Sequence, residues 1–117
     1  MTTEDEREQE RLRYIDLSIR RIEEYTGGKQ EAFLSEAMIQ DAVLRRLETL
    51  ADATGKLSDV LKARHPEIPW PQVYGFRNIA AHAYEYLDLS RVWEIVRDYL
   101  PVLKAAVATE IRRSSEQ

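Results

Sequence analysis

The sequence predicts an all-α protein, folded as an up-and-down bundle of four helices. Three observations predict it. Apolar residues recur at spacings of three and four along most of the chain, which places them on one face of a helix. No alternating run of β-branched residues marks a strand. Gly and Pro interrupt the chain at only a few points, so long segments are joined by short connections, which favour antiparallel neighbours.

The first helix is expected from about Asp5 to Tyr25. Leu12, Ile15, Ile19 and Ile22 form its apolar stripe. Gly27 and Gly28 stop it, because glycine tolerates the left-handed conformation that ends helices. A long second helix, from Lys29 or Ser35 to Arg64, carries Phe33, Met38, Val43, Leu44, Leu47, Leu50, Leu57, Val60 and Leu61 on one broad face. Gly55 inside it costs about 1 kcal/mol against Ala, which suggests a kink or a close helix contact. His65-Pro66 ends it, since a residue before Pro disfavours the α region. Pro71 suits the first turn of a third helix, expected from Pro71 to about Leu87. Asp88 or Ser90 caps a fourth, which runs through Val92, Trp93, Val96, Leu100, Leu103 and Val107 and is kinked at Pro101.

With 117 residues the chain suits one domain spanning 1–117, with residues 1–6 and 112–117 expected to fray. Hydrophobic residues make up 44% and charged residues 32%, a globular balance rather than a disordered one. Cysteine is absent, which fits a reducing, cytoplasmic location. No apolar run is long enough to span a membrane, and the start MTTEDEREQERLR has no signal-peptide core. The net charge of −4 argues against a uniformly basic nucleic-acid surface but leaves room for a local basic cleft.

Residues 77–84, RNIAAHAY, concentrate polar chemistry in the third helix and hold one of only two histidines. At about 100° per residue, Val73, Phe76, Ala80, Ala83 and Leu87 share the core face. Asn78 and His82 lie nearly opposite that stripe, Arg77 and Tyr84 on its flank, and the small Ala81 between the pairs. A lone helical histidine is usually a surface or satisfied core residue. Its angle argues against the core, and the surface alternative stays open on geometry alone.

Its neighbours point to phosphodiester chemistry. Histidine moves protons near neutral pH. The planar fork of Arg77 matches phosphate oxygens. Asn78 can orient an imidazole or a ligand, and Tyr84 can stack on a base or hydrogen-bond. A ribose 2′-OH attacking the adjacent phosphorus would need such groups and no metal. A two-fold dimer would supply the second acid–base group.

Arg77, His82 and Tyr84 read R-x4-H-x-Y, which resembles the HEPN superfamily and, within it, HepT-like toxins of prokaryotic HEPN/MNT pairs. The resemblance extends over residues 40–103, QDAVLRRLETLADATGKLSDVLKARHPEIPWPQVYGFRNIAAHAYEYLDLSRVWEIVRDYLPVL, including the HPEIPW loop and the VWEIV helix. It implies a homodimeric helical bundle with both motif copies lining an interface cleft. It further implies a metal-independent endoribonuclease acting on tRNA or mRNA, the toxin of a type VII-like system. Its partner would be a nucleotidyltransferase antitoxin that transfers AMP. Carried onto this chain, Arg77 and His82 are the catalytic pair, Asn78 supports them, and Tyr84 is the modification site.

One departure stands out. Relatives often carry Gly-Glu-Ala in the second helix, where this chain has Ala51-Asp52-Ala53, so Asp52 offers a shorter carboxylate or an ordinary solvated charge. Arg45 would bind RNA phosphate or pair with Glu48 or Asp41. His65 in its Pro-rich loop is read as structural or solvated, and Trp70 and Trp93 as packing residues. Two distant histidines without HExxH spacing give no zinc site, and no motif calls for a cofactor. Leu17, Leu34 and Ile39 would extend apolar surface toward a dimer. The competing functional reading is a non-catalytic HEPN module that binds nucleotide or RNA and assists a nucleotidyltransferase.

Overall fold

A computed structural model describes residues 3–85 and 88–116. Every regular element among them is helical. Helix α1 (Glu4–Thr26) starts one residue before its expected first position. Thr3 Oγ1 accepts the Glu6 N–H at 3.1 Å and Glu6 Oε2 accepts the Thr3 N–H at 3.2 Å, which satisfies two end donors reciprocally. Gly27 and Gly28, at φ of 60° and 74°, end it as expected.

The expected second helix is three helices: α2 (Gln30–Ser35), α3 (Ala37–Gly55) and α4 (Asp59–Ala63). The first break falls at Glu36, whose backbone is extended. It lets α2 turn Phe33 onto Trp93, with ring centroids 5.9 Å apart, and it leaves Met38 84% exposed. The second break follows Gly55. Ser58 caps α4 by accepting the Leu61 N–H, while Glu8 of α1 accepts the Ser58 N–H at 2.6 Å. Val60, expected in the core, is solvent-exposed, and Leu57 and Leu61 fill that place instead. A continuous helical stripe could not anticipate these caps.

Helix α5 (Trp70–Ala81) begins with Pro71 in its first turn. Trp70 Nε1 donates to the carbonyls of Lys62 and His65 and so ties down the Pro-rich loop. The helix ends at Ala81 rather than near Leu87. His82 leaves it at φ −113° and ψ 12°, and the following turn is closed by the Asp88 N–H on the Ala83 carbonyl. Val73, Phe76, Ala80 and Ala83 are buried as expected; Leu87 lies outside the described residues. Helices α6 (Leu89–Asp98) and α7 (Leu100–Ser115) meet at Tyr99. The expected kink at Pro101 is thus a helix start one residue earlier, because the ring cannot sit inside a continuing helix without clashing one turn back. Helix persists from Glu4 and as far as Ser115, within both ends expected to fray.

The packing is a four-helix bundle in which α2–α4 form the broken second member and α6–α7 the fourth. Direction can be read from contacts. Going up α1, Glu8, Arg11 and Tyr14 meet Ser58, Lys56 and Thr49 in descending order. Glu23 meets Lys104 while Glu8 shares a groove with Glu110 and Arg113, so α7 also runs against α1. Gly55 meets Tyr74 and Asp41 meets Tyr84, so α5 runs against α3. Leu12, Ile15, Leu47, Leu50, Phe76, Ile95 and Leu103 form the centre of one core.

One charged cluster is buried at the end of the bundle. Glu110 on α7 is 4% exposed and accepts from Arg64 at 2.6 Å and 3.2 Å, with His65 Nε2 at 2.7 Å. His65 is therefore structural, as expected. No helix among the described residues is long and apolar enough to cross a membrane.

Candidate functional site

The antiparallel seam of α3 and α5 carries the motif. Small Ala81 and the turn spacing of α3 open a groove of about 420 Å³, lined by Arg45, Glu48, Thr49, Asp52, Arg77, Asn78 and Ala81. Four of the six expected site residues (Arg45, Asp52, Arg77 and Asn78) therefore face one space. Arg45 and Asp52 are seven apart on α3, two turns on the same face. Their charges are balanced locally and weakly. Arg45 lies 3.7 Å from Glu48 and Asp52 lies 3.5 Å from Lys56, both exposed single-helix pairs. Such pairs are worth about 0.2–0.5 kcal/mol, so a phosphate can displace them.

His82 and Tyr84 are placed differently from a continuous helix. His82 follows the groove-lining Ala81 as the cap of α5, its N–H on the Asn78 carbonyl. Its half-exposed ring sets Nδ1 3.3 Å from Glu85 Oε2. Tyr84 is not among the residues that line the groove. Its hydroxyl donates to Asp41 on α3, one turn before Arg45. Burial, then the hydrogen bond and charge of Asp41, push the Tyr84 phenol up to about 12, so it is neutral at working pH.

Arg77 is held from an unexpected side. Its guanidinium lies 4.4 Å from the ring centroid of Tyr74, one turn earlier on α5. Tyr74 in turn packs against Gly55, where an added Cβ would come within 2.3 Å of the ring. Sequence reading named the close contact at Gly55 as one option but missed Tyr74. The i,i+3 spacing of Tyr74 and Arg77 was its available signal. Gly55→Ala is expected to cost about 1–3 kcal/mol through overpacking and to push the Tyr74 ring off its seat. A urea melt measures the first effect, and loss of the Tyr74–Arg77 contact in a variant structure the second.

Among the described residues no group of three or more His, Asp or Glu side chains is arranged to hold a metal ion.

With this geometry in hand, comparison with known families is decisive. The family described as ribonuclease HepT-like matches residues 15–110, which includes all of α3, α5 and the motif. The chain belongs to the HepT-like ribonuclease family. Curated relatives agree. A protein of Thermococcus cleftensis named "Probable ribonuclease HepT" is 36% identical over 94 residues, 80% of this chain and 86% of its own. A Methanocaldococcus jannaschii protein named "Gamma-glutamylcyclotransferase and putative RNase" is 36% identical over 97 residues, 82% of this chain. The HepT-like match covers only 44% of that longer relative. A second protein of that organism, named "Putative RNase", is 33% identical over 75 residues, covering 64% of this chain and 69% of its own. No solved structure matches the HepT-like chain.

Proposed function

We propose that this chain is a metal-independent endoribonuclease, the toxin of a HEPN/MNT pair that works in the cytoplasm as a homodimer. The observation that carries the reading is the groove of a HepT-like fold in which Arg45, Asp52, Arg77 and Asn78 converge, with His82 on the next residue after its lining. Arg77 and Arg45 would bind the phosphate, and Asn78 would fix substrate or imidazole. In the tautomer whose Nδ1–H donates to Glu85, Nε2 of His82 would be the basic nitrogen. It would take the 2′-OH proton as that oxygen attacks phosphorus and the bond to the 5′-oxygen breaks. The planar charge of Arg77 would stabilise the phosphorane oxygens. A partner copy's histidine would return a proton to the leaving 5′-oxygen. The products are a 2′,3′-cyclic phosphate and a 5′-hydroxyl.

Silencing would run through Tyr84. Its phenolic oxygen bonds to the α-phosphorus of ATP on the antitoxin, and pyrophosphate leaves. Asp41, which already accepts the Tyr84 hydrogen bond, takes the proton. The added phosphate and base then compete with RNA for the seam. Incubation with the antitoxin and ATP is expected to add whole AMP increments by intact mass. Tyr84→Phe removes them, and Asp41→Asn slows them about a hundredfold, the lower range for a lost general base. Unchanged increments in Tyr84→Phe would move the modification elsewhere.

A further inference from the structure

The groove holding Arg77 does not stop at Asp52. It shares Thr49 and Asp52 with a second groove between α1 and α3, lined also by Arg7, Arg11, Tyr14 and Lys56. The hydroxyl of Tyr14 donates to Thr49 Oγ1 at 2.6 Å, and this bond sits on the boundary between the two. The two grooves are lined by the cations Arg7, Arg11, Arg45, Lys56 and Arg77 against the carboxylates Glu10, Glu48 and Asp52, with Glu4 paired to Arg7 at their edge. The surface is thus locally positive on a chain whose net charge is −4. Tyr14, 38% exposed, lines the second groove among these cations. Beyond Arg11 and Lys56 the positive surface ends, because Glu4, Asp5, Glu8 and Glu110 outnumber Arg64 and Arg113.

We infer that the α1–α3 groove is a second binding site, for single-stranded RNA flanking the phosphate held at Arg77. Cations spaced along a groove with an exposed aromatic ring among them are what a single strand needs, phosphates on the charges and a base on the ring. Arg45 to Lys56 spans eleven residues, about 16 Å of helical rise, enough for a few nucleotides. The existing ion pairs of this groove are exposed, Arg7 with Glu4 at 2.8 Å and Lys56 with Asp52 at 3.5 Å, so phosphate exchange costs little. The site rests on the ribonuclease reading. It predicts that cleavage depends on substrate length.

The test compares an unstructured RNA of about a dozen nucleotides, near the site sizes such grooves cover, with a dinucleotide. In Arg7→Glu, KM for the long RNA is expected to rise about tenfold with kcat held, while dinucleotide turnover moves less than twofold. Tyr14→Ala does the same, and Tyr14→Phe, which keeps the ring, restores affinity. Removing one phosphate contact also lowers the salt slope of log kcat/KM by about 0.7. Equal loss on both substrates, no loss on either, or a changed oligomeric mass in Arg7→Glu or Tyr14→Ala would overturn the second site. Failure of the wild type to cleave either RNA would instead overturn the ribonuclease reading.

Discussion

His82→Ala is expected to lower RNA turnover about a thousandfold while leaving KM within twofold, since loss of a positioned general acid–base group costs about 10²–10⁴ in rate. His82 caps α5 through its backbone N–H and its ring is half-exposed, so loss of the ring should not unfold the protein. Arg77→Ala is expected to cost about 10²–10³, the range for a lost oxyanion donor. Arg77→Lys should recover little of it. An ammonium lacks both the planar fork for two phosphate oxygens and the flat face that lies on Tyr74. Single-turnover cleavage of end-labelled RNA measures all three. Retention of more than a tenth of wild-type turnover in His82→Ala would remove that residue from the chemistry.

The second large effect concerns stability. Glu110→Ala is expected to destabilise the bundle by about 3–5 kcal/mol, the cost of breaking a buried ion pair, because Arg64 and His65 lose their shared carboxylate. Chemical denaturation measures it, and a change under 1 kcal/mol would show that the cluster holds nothing together. A pH dependence follows. The hydrogen bond from Arg64, aided by His65 and opposed by burial, holds the Glu110 carboxyl below its ordinary value of 4.5. Unfolding restores that value, so the unfolded chain binds the proton more readily. The contribution is complete above about pH 4.5 and is lost as pH falls through the lower folded value. In Glu110→Gln that acid-side loss should disappear.

The sequence made the bundle legible because three stripes are long and regular. Leu12 to Ile22, Val43 to Leu50 and Val73 to Ala83 lie in the core as their spacing requires. The breaks were hidden because each depends on partners distant in sequence. Ser58 is fixed by Glu8, fifty residues away, and Phe33 finds Trp93 on α6. The end of α5 was hidden for a related reason. Ala80, Ala81 and Ala83 are good helix formers, and nothing local announces that Tyr84 will be drawn to Asp41. That early end takes Tyr84 off the helix that carries Arg77, although a helical wheel sets them side by side. Arg45, Asp52, Arg77 and Asn78 line one groove because their spacing on α3 and α5 is the spacing of helical turns. Tyr74 and Gly55 belong to the same seam, and only the packing of one helix on the other shows why.

The central claim is that this HepT-like chain cuts RNA with its own side chains. The direct measurement is incubation of purified, unmodified protein with RNA in excess EDTA, followed by end-group analysis of the fragments. The account predicts cleavage that persists in EDTA and leaves 2′,3′-cyclic phosphate and 5′-hydroxyl ends. No cleavage, or cleavage that appears only on adding a divalent cation, would contradict it.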